Sequence, residues 1–184
     1  MAGTKTGCMK WYSILDNGTS DNITLLLDHN TTATVAWASS GTNTNGPITA
    51  FKQLESDTAS WNSTIKNTAR LIEAREIATI TGNSGLTAGG SYYYFHTNST
   101  TKYTGAAGTN KYAWLFDNTY NCTTYGCNVA ASGTWGYWTN TAVSSVSATA
   151  FYVFCDGKMN NLNVSHAGNY GVRPVVTISK SIIS

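Results

Sequence analysis

The stretch that most constrains this chain is Trp135–Ser179, where three apolar runs are separated by turn residues. Gly136-Tyr137-Trp138-Thr139 is short, aromatic and strand-like. Ala150–Cys155 (AFYVFC) is the second run, and Asp156-Gly157 directly after it is the strongest two-residue hairpin signal a sequence offers. Lys158–Val164 is then the returning arm. Gly171 opens the last run, Val172–Ser179, which Pro174 interrupts only near its start. Proline fits there because a first or edge position need not donate a ladder hydrogen bond.

Upstream, strand and helix signals follow one another. Lys10–Leu15 and Ile23–Leu27 flank the turn signal Asp16-Asn17-Gly18 and predict a hairpin. Thr31–Ser40 is extended or loop, and Gly41–Gly46 is a polar loop. Pro47 suits a first helical turn and opens a helix over 47–60, with Ile48, Phe51, Leu54 and Trp61 on one progression. Ala69–Ile72 is a short strand or bend. A second helix covers 73–81: Glu73 and Glu76 lie near its N-terminus, where the dipole favours them, and Ile77 and Ile80 form its buried side. Ser84–Asn110 is a long Gly- and Thr-rich connection broken by Tyr92–Phe95, and connections of that length are usually functional. Lys111–Phe116 is an aromatic, strand-like run, and Asn118–Gly133 is a second loop. The order predicts one α+β domain over 1–184, with two helices packed on a small antiparallel sheet and long loops.

Composition narrows the partners. Hydrophobic residues are 41% of the 184, enough for a globular core. Charged residues are only 11%, less than half the usual share, so the surface is neutral and rich in hydrogen-bonding groups. A net charge of +2 leaves no electrostatic footprint for nucleic acid or an anionic membrane. No segment approaches the ~20 apolar residues of a membrane span, and the opening MAGTKTGCMKW has no apolar signal-peptide core. A low-charge chain rich in Thr, Asn and aromatics reads as extracellular or displayed on a cell surface. Its seven Asn-x-Ser/Thr sequons are what so Asn- and Thr-rich a chain produces by chance.

The GYWT strand, the polar-tipped hairpin and the closing Gly171-Val172-Arg173-Pro174-Val175-Val176 run resemble the C-terminal half of a C-type-lectin-like fold. With Trp11–Ile14, Leu26–Thr32, Ala69–Ile72 and Tyr112–Leu115, the resemblance spans nearly the whole chain. It points to a family of surface-protein domains from gut Firmicutes. That family lies near the formylglycine-generating-enzyme and diversity-generating-retroelement variable-protein branch. The resemblance implies that the first and last strands pair, with Trp11–Ile14 and Val175–Ile178 as the candidates. It implies little about activity, because such folds host unrelated functions.

Each candidate for chemistry has a plainer reading beside it. Cys122 and Cys127 close a short loop and predict a disulfide in an oxidising compartment, while Cys8 and Cys155 stay unassigned. Formylglycine-generating enzymes hold copper with a cysteine pair of this spacing. Here, however, the pair precedes the aromatic strand instead of following it, so an oxidoreductase is only an alternative. His29, His96 and His166 stand at no ligand spacing to one another or to a cysteine, which argues against zinc. Calcium lectins of this fold use Glu-Pro-Asn or Gln-Pro-Asp loops. Neither Pro47 nor Pro174 has an acidic neighbour, and only nine Asp and Glu are present. No cofactor is expected. His29 reads as a turn histidine between Asp28 and Asn30, Glu73 and Glu76 as helix-end acids, and Arg173 as a structural hydrogen-bond donor.

The remaining signal is the density of aromatic and amide side chains between Trp135 and His166. Alternate strand positions face opposite ways, so Tyr152 and Phe154 share one side of their strand while Phe151, Val153 and Cys155 share the other. Two aromatic faces predict that one is more than core, and rigid aromatics with short amides are the mixture binding surfaces use. The expected contact residues are Trp135, Tyr152, Phe154, Lys158, Asn160, Asn161, Asn163 and His166. The plainer alternative is a strand buried on both sides. The resemblance adds that Asn160, Asn161, Asn163 and Asn169 suit the asparagine-rich hairpin of a retroelement-diversified protein. The function expected is a surface-displayed module that binds a protein or glycan without catalysis. The alternative is a structural or accessory domain of a larger surface protein.

Overall fold

The computed structural model describes residues 9–16, 18–81, 92–94, 112–115, 135–154 and 158–183. In the N-terminal hairpin, Trp11–Leu15 (β1) is half-buried to exposed, whereas Asn22–Leu27 (β2) buries Ile23, Leu26 and Leu27. That difference decides their places. β2 runs antiparallel to the closing strand Pro174–Ser179 (β9), from Asn22 opposite Ser179 to Leu26 opposite Val175. β1 is left at the edge, and Arg70–Leu71 (β3) pairs with the other side of β9. The first sheet is therefore ordered β1-β2-β9-β3, with every pair antiparallel. The expected pairing of the first strand with the last is corrected: β2 stands between them. β9 buries Val175, Val176 and Ile178 on its two faces, so its neighbour must be the more apolar arm of the hairpin.

The second sheet carries the C-terminal runs. Tyr92–Tyr94 (β4), Gly136–Ala142 (β5), Thr149–Phe154 (β6), Lys158–Asn163 (β7) and Tyr170–Gly171 (β8) are ordered β4-β7-β6-β5-β8. β6 and β7 form the expected hairpin, with Phe154 opposite Lys158, and its Asp156-Gly157 tip lies outside the described residues. The β5–β8 contact is parallel, so the architecture is mixed α+β with two sheets rather than one small antiparallel sheet. The last apolar run is split. Gly171, which opens it, belongs to the second sheet, Val172 bridges Thr32, and after Arg173 the chain enters the first sheet.

Helix α1 spans Ile48–Asp57 and buries Ala50 and Leu54. It stops short of residue 60: Thr58 makes the last i−4 bond, with its hydroxyl also on the Leu54 carbonyl, and the Ala59 N–H then turns to the Ser56 carbonyl three residues back. Trp61 lies beyond the helix and meets Trp11 edge-on at 5.7 Å. A one-turn helix, α2 (Ser63–Lys66), follows, capped by the Asn62 side chain on the Thr64 N–H. Helix α3, Ala74–Thr81, buries Ala74, Ile77 and Ala78. Glu76 accepts from the Glu73 N–H and from both terminal nitrogens of Arg70, so this acid holds the helix end, as its position implied.

Between the sheets, Leu26 and Val175 meet Tyr137, Phe151, Val153 and Met159, with Ile72 and Ile77 beside them. The outer face of the first sheet holds a smaller cluster of Ile23, Val176 and Ile178 with Trp61 and Ile65. On the far face of the second sheet, Trp138, Ala150 and Tyr152 pack under Val35, Trp37, Ala38, Ala50 and Leu54. Trp37 Nε1 donates to the Thr139 carbonyl and Trp138 Nε1 to the Val35 carbonyl, so the segment 35–38 is tied to β5 from both sides. Gly171 makes the crossing possible: a Cβ there would stand 1.9 Å from the Thr32 carbonyl oxygen.

Arg173 sits fully buried where the chain passes between sheets. Nε donates to the Leu27 carbonyl, Nη1 to that of Leu115, and Nη2 to those of Asp28 and Trp114, at 2.7–2.9 Å. Its guanidinium lies 5.1 Å from the Tyr137 ring centre, and the Tyr137 hydroxyl also donates to Leu115. The aromatic run expected as a strand over 111–116 is instead a 3₁₀ turn, Ala113–Leu115. Carbonyls that a ladder would have used are taken by these side chains. Replacing Arg173 by Met leaves several buried carbonyls unpaired and is expected to cost at least ~3 kcal/mol. Arg173→Lys is expected to recover little, because an ammonium does not reproduce the planar fork. Urea unfolding of the three proteins measures both losses.

Candidate functional site

Register places the expected contact residues on two faces. Residues opposite one another on neighbouring strands share a face. Trp138, Tyr152 and Asn160 are opposite one another, as are Gly136, Phe154 and Lys158. Asn161 stands opposite Phe151 and Asn163 opposite Thr149, so both belong to the other face. Tyr152, Phe154 and Asn160 are thus brought together, while Asn161 and Asn163 are not brought to them. Lys158 takes its place through its backbone, between Phe154 and Tyr94.

The shared face carries a ladder of rings that runs from core to surface. Trp138 lies edge-on to Tyr152 at 6.1 Å, and Tyr152 lies 4.0 Å from Tyr170. Phe154 follows, 6.3 Å from Tyr152, and Trp135 closes the ladder edge-on to Phe154 at 5.7 Å. Exposure rises along it, from 0% at Trp138 and 6% at Tyr152 to 48% at Trp135. Tyr152 is therefore a core ring, covered by Tyr170 and the segment 35–38, and only the Phe154–Trp135 end reaches solvent. The Trp135 N–H donates to the Asn169 carbonyl, which fixes the outer ring to the loop before β8.

His166 is half-buried, with its ring 6.1 Å from Tyr170. Its Nε2 is buried without a hydrogen-bond partner among the described residues. Asn163 is exposed, and its Oδ1 accepts from both the N–H and the hydroxyl of Ser165, closing the turn after β7. Tyr170 and Asn169 were not among the expected contacts. Gly168 and Gly171 on either side of them are turn-forming residues, but nothing local shows that this loop folds back beside Trp135.

A second polar cluster lies at the other end of β1. Lys10 Nζ is 3.1 Å from the Asp28 carboxylate and 4.8 Å from the Tyr12 ring centre, and Tyr12 stacks on Trp114 at 4.9 Å. His29 is buried, with Nδ1 3.7 Å from Asp28, so it is more deeply enclosed than a turn histidine. Burial raises the Asp28 carboxyl, but the neighbouring His29, Tyr12 and Lys10 side chains, with Lys10 Nζ in direct contact, outweigh it and bring it down to about 2. Burial pushes the Tyr137 hydroxyl up to about 12, against the nearby Arg173.

Cys8, Cys122, Cys127 and Cys155, and with them the expected disulfide, lie outside the described residues. Among the described residues no three His, Cys, Asp or Glu side chains are grouped to hold a metal, and no helix is long and apolar enough to cross a membrane.

A mixed α+β, two-sheet chain whose aromatic core surfaces at one end is the class that these features define. The chain belongs to the family described as domain of unknown function DUF6273, which it matches over residues 56–180. No curated protein and no solved structure matches it. The match begins inside α1, so β1, β2 and the segment 31–38 precede it, although β9 and Val172 pair with them.

Two stability predictions follow from these placements. Tyr152→Ala is expected to cost ~3 kcal/mol or more as a large core truncation, and Trp135→Ala under ~1 kcal/mol as a half-exposed ring. Chemical denaturation separates them. Asp28 has a folded value below its ordinary 3.8, so its contribution to stability is complete above that pH and is lost as pH falls toward about 2. Melting temperature should drop through that window, and Lys10→Met should flatten the drop.

Proposed function

We propose that this chain is a surface-displayed binding module of C-type-lectin-like fold, whose ligand is a protein or a glycan. The observation that carries the reading is the half-exposed Trp135 braced edge-on by Phe154 and, behind it, by Tyr152, Tyr170 and Trp138. Rigid aromatic area at a surface is gained with little loss of rotamer freedom, and adjacent amides adapt their hydrogen bonds to the ligand. In this reading Trp135 and Phe154 are the anchors, Asn160 and His166 flank them, and Tyr152 supports from beneath. Lys158 pairs with Phe154 at the hairpin end, while Asn161 and Asn163 belong to the opposite face and stand outside this patch. The reading includes no catalysis and no cofactor. The asparagines of β7 and the loop after it suit a retroelement-diversified surface, and a Cys122–Cys127 disulfide would suit extracellular display.

The second reading is a structural or accessory domain of a larger surface protein. It is favoured by the burial of Tyr152 and by the cover on both faces of the second sheet.

A glycan array and a surface-protein pull-down identify the ligand. Trp135→Ala and Phe154→Ala are then expected to weaken binding by ~30-fold or more, the ~2 kcal/mol of a hot spot, while Trp135→Ala leaves the melting temperature nearly unchanged. Unchanged affinity in both folded variants moves the binding face elsewhere, and absence of any ligand favours the accessory domain.

A further inference from the structure

Asp57 is the last residue of α1, the end of a helix where the dipole disfavours negative charge. Three side chains hold its carboxylate there. Thr31 Oγ1 and Thr32 Oγ1 both donate to Oδ2, at 2.7 and 2.5 Å, and Gln53 Nε2 donates to Oδ1 at 2.8 Å. Gln53 and Asp57 are one helical turn apart and share a face. Thr32 is brought to that face by its bridge to Val172. All four residues are half-buried. One carboxylate therefore touches a hydroxyl through one oxygen and a carboxamide through the other. Acyl transfer from an amide to a hydroxyl needs a base for the hydroxyl proton and a proton for the departing nitrogen.

We propose that Thr32 and Gln53 become joined by an intramolecular ester, with Asp57 carrying the proton. Thr32 Oγ1 gives its proton to Asp57 Oδ2 and adds to Gln53 Cδ, making the C–O bond. The C–N bond then breaks as the carbonyl re-forms, and the nitrogen takes the proton from Asp57 and leaves as ammonia. The products are one ester and one ammonia, with Asp57 returned to its starting state and no oxidant, metal or water required. Thr32 is the nucleophile because the single hydroxyl proton of Thr31 is divided between Asp57 and the Val172 carbonyl, 3.4 Å away. Thr31 steadies the carboxylate. The bond would staple α1 to the strap that leads into Val35–Ala38, independently of what the aromatic ledge binds.

Mass spectrometry of the intact chain, fresh and after long incubation at neutral pH, tests this. The expected mass is lower than that of the sequence by one ammonia, with a Thr32 peptide linked to a Gln53 peptide after digestion and released by hydroxylamine. The linked pair decides the matter, because Asn45-Gly46 can lose ammonia by cyclising on itself. Thr32→Ala and Asp57→Asn should abolish the linked pair, and Thr32→Ser should keep it. Gln53→Met, which removes the carboxamide and leaves both threonines on Asp57, serves if Thr32→Ala does not fold. A wild-type chain that keeps its full mass and yields no linked pair overturns the proposal and leaves the four side chains a hydrogen-bonded latch.

Discussion

Arg173 is the interaction on which the two-sheet arrangement depends. It takes one carbonyl each from Leu27, Asp28, Trp114 and Leu115, so the end of β2 and the 3₁₀ turn are fixed to the same planar group. A buried guanidinium is costly unless its donors are satisfied, and the four carbonyls that satisfy it come from two segments far apart in sequence. The same group lies against Tyr137, which reaches Leu115 as well. Core packing brings the sheets together, and Arg173, lying against Tyr137 of the second sheet, ties the end of β2 and the 3₁₀ turn to that seam.

Burial on both faces of the second sheet gives the aromatic ladder its character. Rings at the Trp138 end are held by packing on every side, and each successive ring outward is held by the one behind it. Trp135 is therefore oriented by the ring behind it and by its own N–H on the Asn169 carbonyl. An exposed ring held in one orientation presents a fixed surface, which distinguishes it from the isolated exposed apolar residues such as Leu15 and Ile183.

Legibility in the sequence followed how local the determinant was. The β6–β7 hairpin, the GYWT strand, the N-terminal hairpin and both longer helices were readable, because turn residues and periodicity lie within each segment. The one-turn helix α2 was missed although Asn62-Ser63-Thr64 carried a cap signal, since four residues are too few for periodicity. The place of β2 beside β9, and the conversion of Ala113–Leu115 into a turn, depend on partners more than fifty residues away. For the site, alternation assigned Tyr152 and Phe154 to one face correctly. It could not show that the segment 35–38 covers one of them and leaves the other near solvent.

The pairing of β2 with β9 joins residues 22–26 to residues 175–179. On a ribosome the apolar arm of the first hairpin, with Ile23, Leu26 and Leu27, emerges long before the strand that shields it. Only after residues 175–179 have emerged does the central contact of the first sheet become available. Folding then waits on closure across the 153 positions that separate Thr24 from Thr177, a slow and non-local step. During that interval the nascent chain carries an unpaired apolar strand edge, the feature that chaperones recognise and that aggregation exploits.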